Sequence, residues 1–219
     1  MSMNIELARH NMVEQQVRPW DVLDSRVLEA LTAVPRENFV APAHRNLAFT
    51  DMCLPLGHGE VMMKPVVEGR VLQAVAPTRD ESVLEIGTGS GFLTACLARL
   101  AKSVHSLEQH ADLADAARAR LQVAGVTNAT VEVADAVQGF TAAQPYDVVV
   151  ATGAVDALPA RWREWVRPGG RLLAVVGESP AQRAILYSRG SDLQWTEQVL
   201  FETDLPYLTH AAPPARFVL

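Results

Sequence analysis

Residues 85–91 read Glu-Ile-Gly-Thr-Gly-Ser-Gly, between an apolar run and a stretch with helical spacing. Glycines at this density permit a tight turn and let a ligand lie against bare backbone. The helix that follows would aim its first N–H groups at that ligand. A dinucleotide-binding turn needs G-x-G-x-x-G, but this chain has Phe92 where that spacing wants its last glycine. Glu85, two residues before Gly87, would also repel a diphosphate. Two more acids recur at equivalent places, Glu108 after a second apolar run and Asp135 after a third. Three acids at the carboxyl ends of successive strands mark the edge where an open α/β sheet binds ligands.

The elements that must position these groups can be read from periodicity. Ser82 to Ile86 reads as a buried strand, Gly91 to Ala101 as a helix and Ser103 to Leu107 as a strand. Residues 110–124 read as an Ala-rich helix, Ala129 to Val133 as a strand and Tyr146 to Ala151 as a fully buried strand. A helix over 159–166 and a strand from Arg171 to Gly177 follow. Alternation of this kind predicts an α/β fold with a doubly wound, mostly parallel sheet. Runs 183–188 and 194–202, with Gly190 and Ser191 between them, predict an antiparallel finish.

Upstream, Val27, Leu28, Leu31 and Val34 share one helical face before Pro35. A second helix starts near Pro65 and stops at Pro77. Residues 36–64 show no clear period. The expected organisation is a single domain over 1–219. It comprises an N-terminal helical extension with a substrate loop (1–78), a ligand-binding core (79–180) and C-terminal antiparallel strands with a tail (181–219).

Composition sets bounds. The chain has 219 residues, about half of them apolar, and a net charge of −6. That argues against nucleic acid or an anionic membrane as the main partner. The start lacks the apolar core of a signal peptide, and no run is long enough to span a bilayer. Cys53 and Cys96 have no partners at metal spacing, so no metal site is expected. Two cysteines in a chain of this kind suit a reducing, cytoplasmic compartment. The basic and aromatic stretch Arg161 to Arg167 reads better as Trp162 and Trp165 covering the sheet than as a nucleic-acid surface.

The loop Glu85–Gly91 with its acids resembles motif I of S-adenosylmethionine-dependent methyltransferases. Other segments extend the likeness. Val34-Pro-Arg-Glu-Asn-Phe-Val40, Ala48-Phe-Thr-Asp51 and Leu54-Pro-Leu-Gly-His-Gly59 resemble segments of protein-L-isoaspartate O-methyltransferases. So do Gly89 to Ala98, Pro145 to Val150 and Arg167 to Leu172. Asp204-Leu-Pro206-Tyr-Leu208 is loosely similar to that family's peptide-lining Val-Pro-Leu segment.

The resemblance implies a Rossmann-like methyltransferase fold and S-adenosyl-L-methionine as cofactor, released as S-adenosyl-L-homocysteine. It also implies a peptide or protein partner carrying isoaspartyl residues, whose carboxylate is methylated for repair. The cofactor-binding residues it implies are Val61, Met62, Glu85, Gly87, Thr88, Gly89, Gly91, Glu108, Gln109, Asp135, Ala136 and Thr152. Glu85 would serve the cofactor's cationic end, Glu108 its ribose and Asp135 its adenine amino group.

One departure stands out. The family's loop reads Thr-Ile-Ser-x-Pro, whereas this chain has Val61-Met62-Met63-Lys64-Pro65. Met63 occupies the serine position and Val61 the threonine position, so both hydroxyls are gone. Lys64 is either a replacement grip on a carboxylate or a solvated cation. His58 is either a general base or a loop residue with a local hydrogen bond. The methionines either fill core gaps or wall an apolar acceptor pocket. The same fold with another acceptor, or a cofactor-binding module without catalysis, stands beside the isoaspartyl reading.

Overall fold

The computed structural model describes residues 4–214. The closing run from Arg216 to Leu219, a candidate for docking on this molecule or a neighbour, lies outside the described residues.

Helix α1 (Ile5–Asn11) is capped by Asn4, whose side chain accepts from the Leu7 N–H. It runs into a π-helical turn, Met12–Val17, that buries Met12, Val13 and Val17. The sequence alone gave no sign of this turn. Asp24 caps α2 (Ser25–Ala33), which presents Val27, Leu28 and Leu31 to the core.

The stretch without period contains a hairpin, β1 (Leu54–Gly57) and β2 (Glu60–Met62). His58 and Gly59 form its two-residue turn, both at positive φ (55° and 83°), which matches the twist of the strands. Helix α3 (Pro65–Val75) follows, with Pro65 in its first turn.

The strands and helices of the core alternate as β3 (Ser82–Ile86), α4 (Phe92–Leu100), β4 (Ser103–Glu108), α5 (Ala111–Val123) and β5 (Ala129–Val133). They continue as β6 (Tyr146–Val155), α6 (Ala160–Glu164), β7 (Val166–Val176), β8 (Gln182–Arg189) and β9 (Trp195–Thr203). The sheet order is β5-β4-β3-β6-β7-β8-β9. The first five strands are parallel, and β8 and β9 pair antiparallel. Central strands such as Val148–Val150 are wholly apolar because helices or loops cover both faces. One apolar cluster joins α2, α3 and α4 to the sheet, and a second packs Phe140, Trp162 and Trp165 on the other face. The Rossmann-like expectation of a mostly parallel sheet with an antiparallel finish is met.

Two boundaries differ from the sequence expectation. β6 runs on to Val155, and β7 begins at Val166 with an irregularity before Arg171. Pairing with neighbours, which periodicity does not report, decides both.

Strand order reverses at β3, with parallel β4 and β5 on one side and parallel β6 on the other. Crevices of open sheets form at such a switch point, beyond the carboxyl ends of the strands. Among the described residues, no helix is long and apolar enough to cross a membrane. Nor is any group of three His, Cys, Asp or Glu residues placed to hold a metal.

Candidate active site

A cavity opens at that switch point. Its walls come from strand ends: Ile86 and Gly87 after β3, Leu107 and Glu108 after β4, Ala134 and Asp135 after β5, Thr152 and Gly153 within β6. Gln109, Gly89 and Ala136 also line it.

The glycine loop is held from beneath. Gly87 and Thr88 donate their N–H groups to Leu107 O at 2.8 and 3.1 Å. Gly87 has φ +94°, and a Cβ there would lie 2.4 Å from Thr152 Oγ1. Only glycine fits that conformation and that space. Thr152 Oγ1 donates to Gly87 O at 2.6 Å, fixing the loop to the end of β6.

Glu108 is oriented by two backbone donors. It accepts from Gly89 N–H at 2.8 Å and His110 N–H at 3.0 Å. Asp135 accepts from the N–H groups of Val137 and Gln138 and pairs with His210 Nδ1 at 2.7 Å. Burial would raise its pKa, but the His210 contact and the backbone N–H groups outweigh that and hold it below the usual carboxylate range.

Glu85 is not in the wall. It lies fully buried under the loop, with Oε2 accepting from Thr94 Oγ1 at 2.5 Å and Ser106 Oγ at 2.6 Å. Thr88 Oγ1 extends this chain to Ser106 at 2.5 Å. Burial pushes the Glu85 carboxyl up to about 7, against the two hydroxyl donors. Its Oε1 has no partner among the described residues. Glu85, expected to serve the ligand, does not line the cavity and supports the loop from beneath. Every residue of β3 from Val83 to Ile86 is buried, so strand alternation could not reveal which way the acid points.

Other expected residues also sit behind the wall. Thr88 joins the network under the loop, and Gly91 packs against Ala117 of α5. Val61 and Met62 belong to the hairpin and do not line the cavity, and Met62 is buried in the core. Met63 is only 5 % exposed and packs in the same cluster, so its side chain fills the core. The Met63 carbonyl accepts from Arg36 at 2.7 Å. Arg36 is fully buried, also donates to Ala48 O and forms an ion pair with Glu68. Burial raises the Glu68 carboxyl while the Arg36 guanidinium opposes it.

His58 sits at the hairpin tip, outside the cavity. It contacts Asp112 at 2.9 Å and stacks on His110 with ring centroids 4.1 Å apart. At the positive-φ turn position its ring meets Asp112 and His110, the local contact that is one of the two readings of this residue. Lys64 lines a separate cavity.

The structure adds residues the sequence did not single out. Glu60 and His110 enter the wall through the hairpin and the start of α5. Burial, then Glu108, push the Glu60 carboxyl up. Leu208 and Thr209 close the cavity from a late segment that binds β6. In that segment, Ala154 N–H donates to Pro206 O and Leu208 N–H to Ala154 O, at 2.9 and 2.8 Å. A Cβ on Gly153 would lie 2.8 Å from Leu208, so a glycine is needed where the segment crosses. The Leu-Pro-x-Leu spelling pointed to this segment, but nothing local pointed to His210.

Comparison with known proteins places this arrangement. The family described as protein-L-isoaspartate(D-aspartate) O-methyltransferase matches residues 8–207. A protein-L-isoaspartate O-methyltransferase of Methanoculleus marisnigri is 40 % identical over 174 residues, covering 80 % of this chain and 79 % of its own length. One from Opitutus terrae is 35 % identical over 210 residues, covering 96 % and 85 %. A Plasmodium falciparum structure assigned to the same enzyme, in complex with S-adenosyl-L-homocysteine, superposes with a TM-score of 0.77. The match covers 95 % of this chain and 99 % of the other at 15 % identity, a likeness of fold.

Proposed function

Because the chain belongs to the protein-L-isoaspartate(D-aspartate) O-methyltransferase family, we propose that it moves a methyl group from S-adenosyl-L-methionine to the carboxylate of isoaspartyl residues in aged polypeptides. The reading includes a repair role in the cytoplasm. The observation that carries it is the cavity at the β3/β6 switch point, with glycine backbone on one side and Glu108 and Asp135 on the other.

The residues present fit the cofactor. Bare backbone at Gly87 and Gly89 leaves room for close approach. Glu108, oriented by two N–H donors, has lone pairs left for ribose hydroxyls. Asp135 stays an acceptor for an exocyclic amine beside its His210 contact. The unpartnered Oε1 of Glu85 sits under the loop, where a cation above would favour its ionised form. The bound cofactor supplies an electrophilic methyl on a sulfonium.

An acceptor carboxylate is already ionised at neutral pH, so it needs no general base. The protein's work is positioning and removal of water. That agrees with His58 lying at the hairpin tip. Leu208, Thr209 and the hairpin residue Glu60 restrict access to the cavity.

The burial of Met63 favours a second reading, a methyltransferase of this family with a different acceptor. No hydroxyl stands at the loop position where the family has serine. The test is transfer of radiolabelled methyl from S-adenosyl-L-methionine to an isoaspartyl peptide, with the normal aspartyl peptide as control. A base-labile methyl ester on the isoaspartyl peptide alone is expected. Cofactor binding without any such ester would move the assignment to the second reading.

A further inference from the structure

The space enclosed at the switch point is about 60 Å3. Sites that surround a small molecule run to about 300–1,000 Å3. A molecule of nucleoside size therefore enters only if a wall moves. Most of the walls are tied to the sheet by backbone hydrogen bonds. Gly87 and Thr88 donate to Leu107 O, Ala134 donates to Glu108 O at 2.9 Å, and the late segment bonds Ala154 through Pro206 and Leu208.

The wall that carries Glu60 is built differently. β1 and β2 pair only with each other, and among the described residues no backbone hydrogen bond joins residues 54–62 to another part of the chain. Leu54 and Met62 anchor the base of the hairpin in the core, while Gly57, His58 and Gly59 at its tip are exposed. Side chains alone hold the tip down. His58 Nε2 lies 3.0 and 2.9 Å from the two carboxylate oxygens of Asp112. Its ring stacks on His110, with centroids 4.1 Å apart and planes 7° from parallel. Glu60 Oε1 stands 3.9 Å from His110 Nε2. Leu56 rests against the glycine turn, where a Cβ on Gly89 would come within 3.0 Å of its Cδ1. The His58 and Asp112 side chains are 43 % and 68 % exposed, and contacts between exposed groups are individually weak. A wall anchored at its base and clasped weakly at its tip is the one that opens most readily.

We propose that the β1–β2 hairpin is a strap over the cofactor cavity, hinged at Leu54 and Met62 and latched by His58 onto His110 and Asp112. It swings off the start of α5 to admit S-adenosyl-L-methionine and to release S-adenosyl-L-homocysteine. Glu60 and His110 line the cavity from the two sides of the latch, so unlatching parts them and widens the opening. His58 does not line the cavity; it is a positioning residue that acts through the hairpin and His110. The inference rests on the family's cofactor and not on the isoaspartyl acceptor.

The test is the kinetics of S-adenosyl-L-homocysteine binding, read by surface plasmon resonance, which needs no acceptor. His58→Asn gives the hairpin an Asn-Gly turn, a pair favoured at two positive-φ positions, and removes the ring. Neither His58 nor Asp112 lines the cavity, so neither variant removes a group from its wall. In His58→Asn, association and dissociation are both expected to quicken about three- to tenfold, with Kd moving by less than about twofold. Asp112→Asn, a change on an exposed side chain, should quicken both rates less and add nothing to His58→Asn. His58→Phe keeps a ring to stack on His110 and should bring both rates part of the way back. Faster dissociation with unchanged association would make His58 a prop of the bound state and overturn the strap. Unchanged rates in His58→Asn would overturn it too. Absence of binding to the wild-type protein would overturn the cofactor assignment, and the strap with it.

Discussion

His210 Nδ1 lies 2.7 Å from Asp135 Oδ2, a contact between residues 75 positions apart. It ties the segment carrying Leu208 and Thr209 to the loop after β5, so two walls of the cavity are held by one contact. His210→Ala is expected to weaken S-adenosyl-L-homocysteine binding about three- to tenfold, read by calorimetry, with little change in melting temperature. An unchanged affinity would show that the segment holds its place without this contact. Asp135 has its pKa lowered on folding, so its contribution is present above about pH 4 and is lost as pH falls through the folded value.

Glu85 gives a second pH signature of opposite sign. Its pKa is raised from 4.5 to about 7 by burial. The folded state therefore binds the proton more tightly, and the cofactor-free protein loses stability as pH rises from 4.5 through 7. The loss is on the order of 3 kcal/mol. Glu85→Gln should melt several degrees higher than wild type at pH 8 and close to it at pH 4. A gap that does not change with pH would show that the carboxyl is not the titrating group. Added cofactor should narrow the gap, because its cation favours the ionised glutamate.

Met63→Ser restores the family hydroxyl but removes a side chain packed in the core. Large-to-small changes of this kind cost about 2–5 kcal/mol. The variant should unfold at distinctly lower urea concentration. If it also gains isoaspartyl methyl transfer over wild type, the hydroxyl can act from that position. Stability equal to wild type would contradict the packing described.

Arg36 holds the Met63 and Ala48 carbonyls and Glu68 together inside the protein. Arg36→Met leaves Glu68 buried without its partner and should cost about 3–5 kcal/mol. The double variant Arg36→Met/Glu68→Leu should recover part of that loss in chemical denaturation. No recovery would mean that the carbonyl contacts, not the ion pair, carry the effect.

Much of the core was legible because strands such as Ser82–Ile86 and Tyr146–Ala151 are continuous apolar runs between turn signals. The glycine loop and the acids Glu108 and Asp135 were legible because their places follow from those strands. The hairpin β1–β2 was not, since strands of four and three residues broken by Pro55 and Gly57 carry no usable period. Side-chain direction was not legible either: Glu85 and His58 had the expected neighbours in sequence but face the core and the surface. Contacts such as His210 with Asp135 depend on topology, and no local pattern encodes them.

Leu208 and Thr209 follow β9, yet they complete a cavity whose other walls lie at residues 60–153. A chain still being synthesised can thus form β3 to β6 and the glycine turn before it has a finished site. The site is finished only after the sheet, and proteolysis after Thr203 would open the site while sparing the sheet.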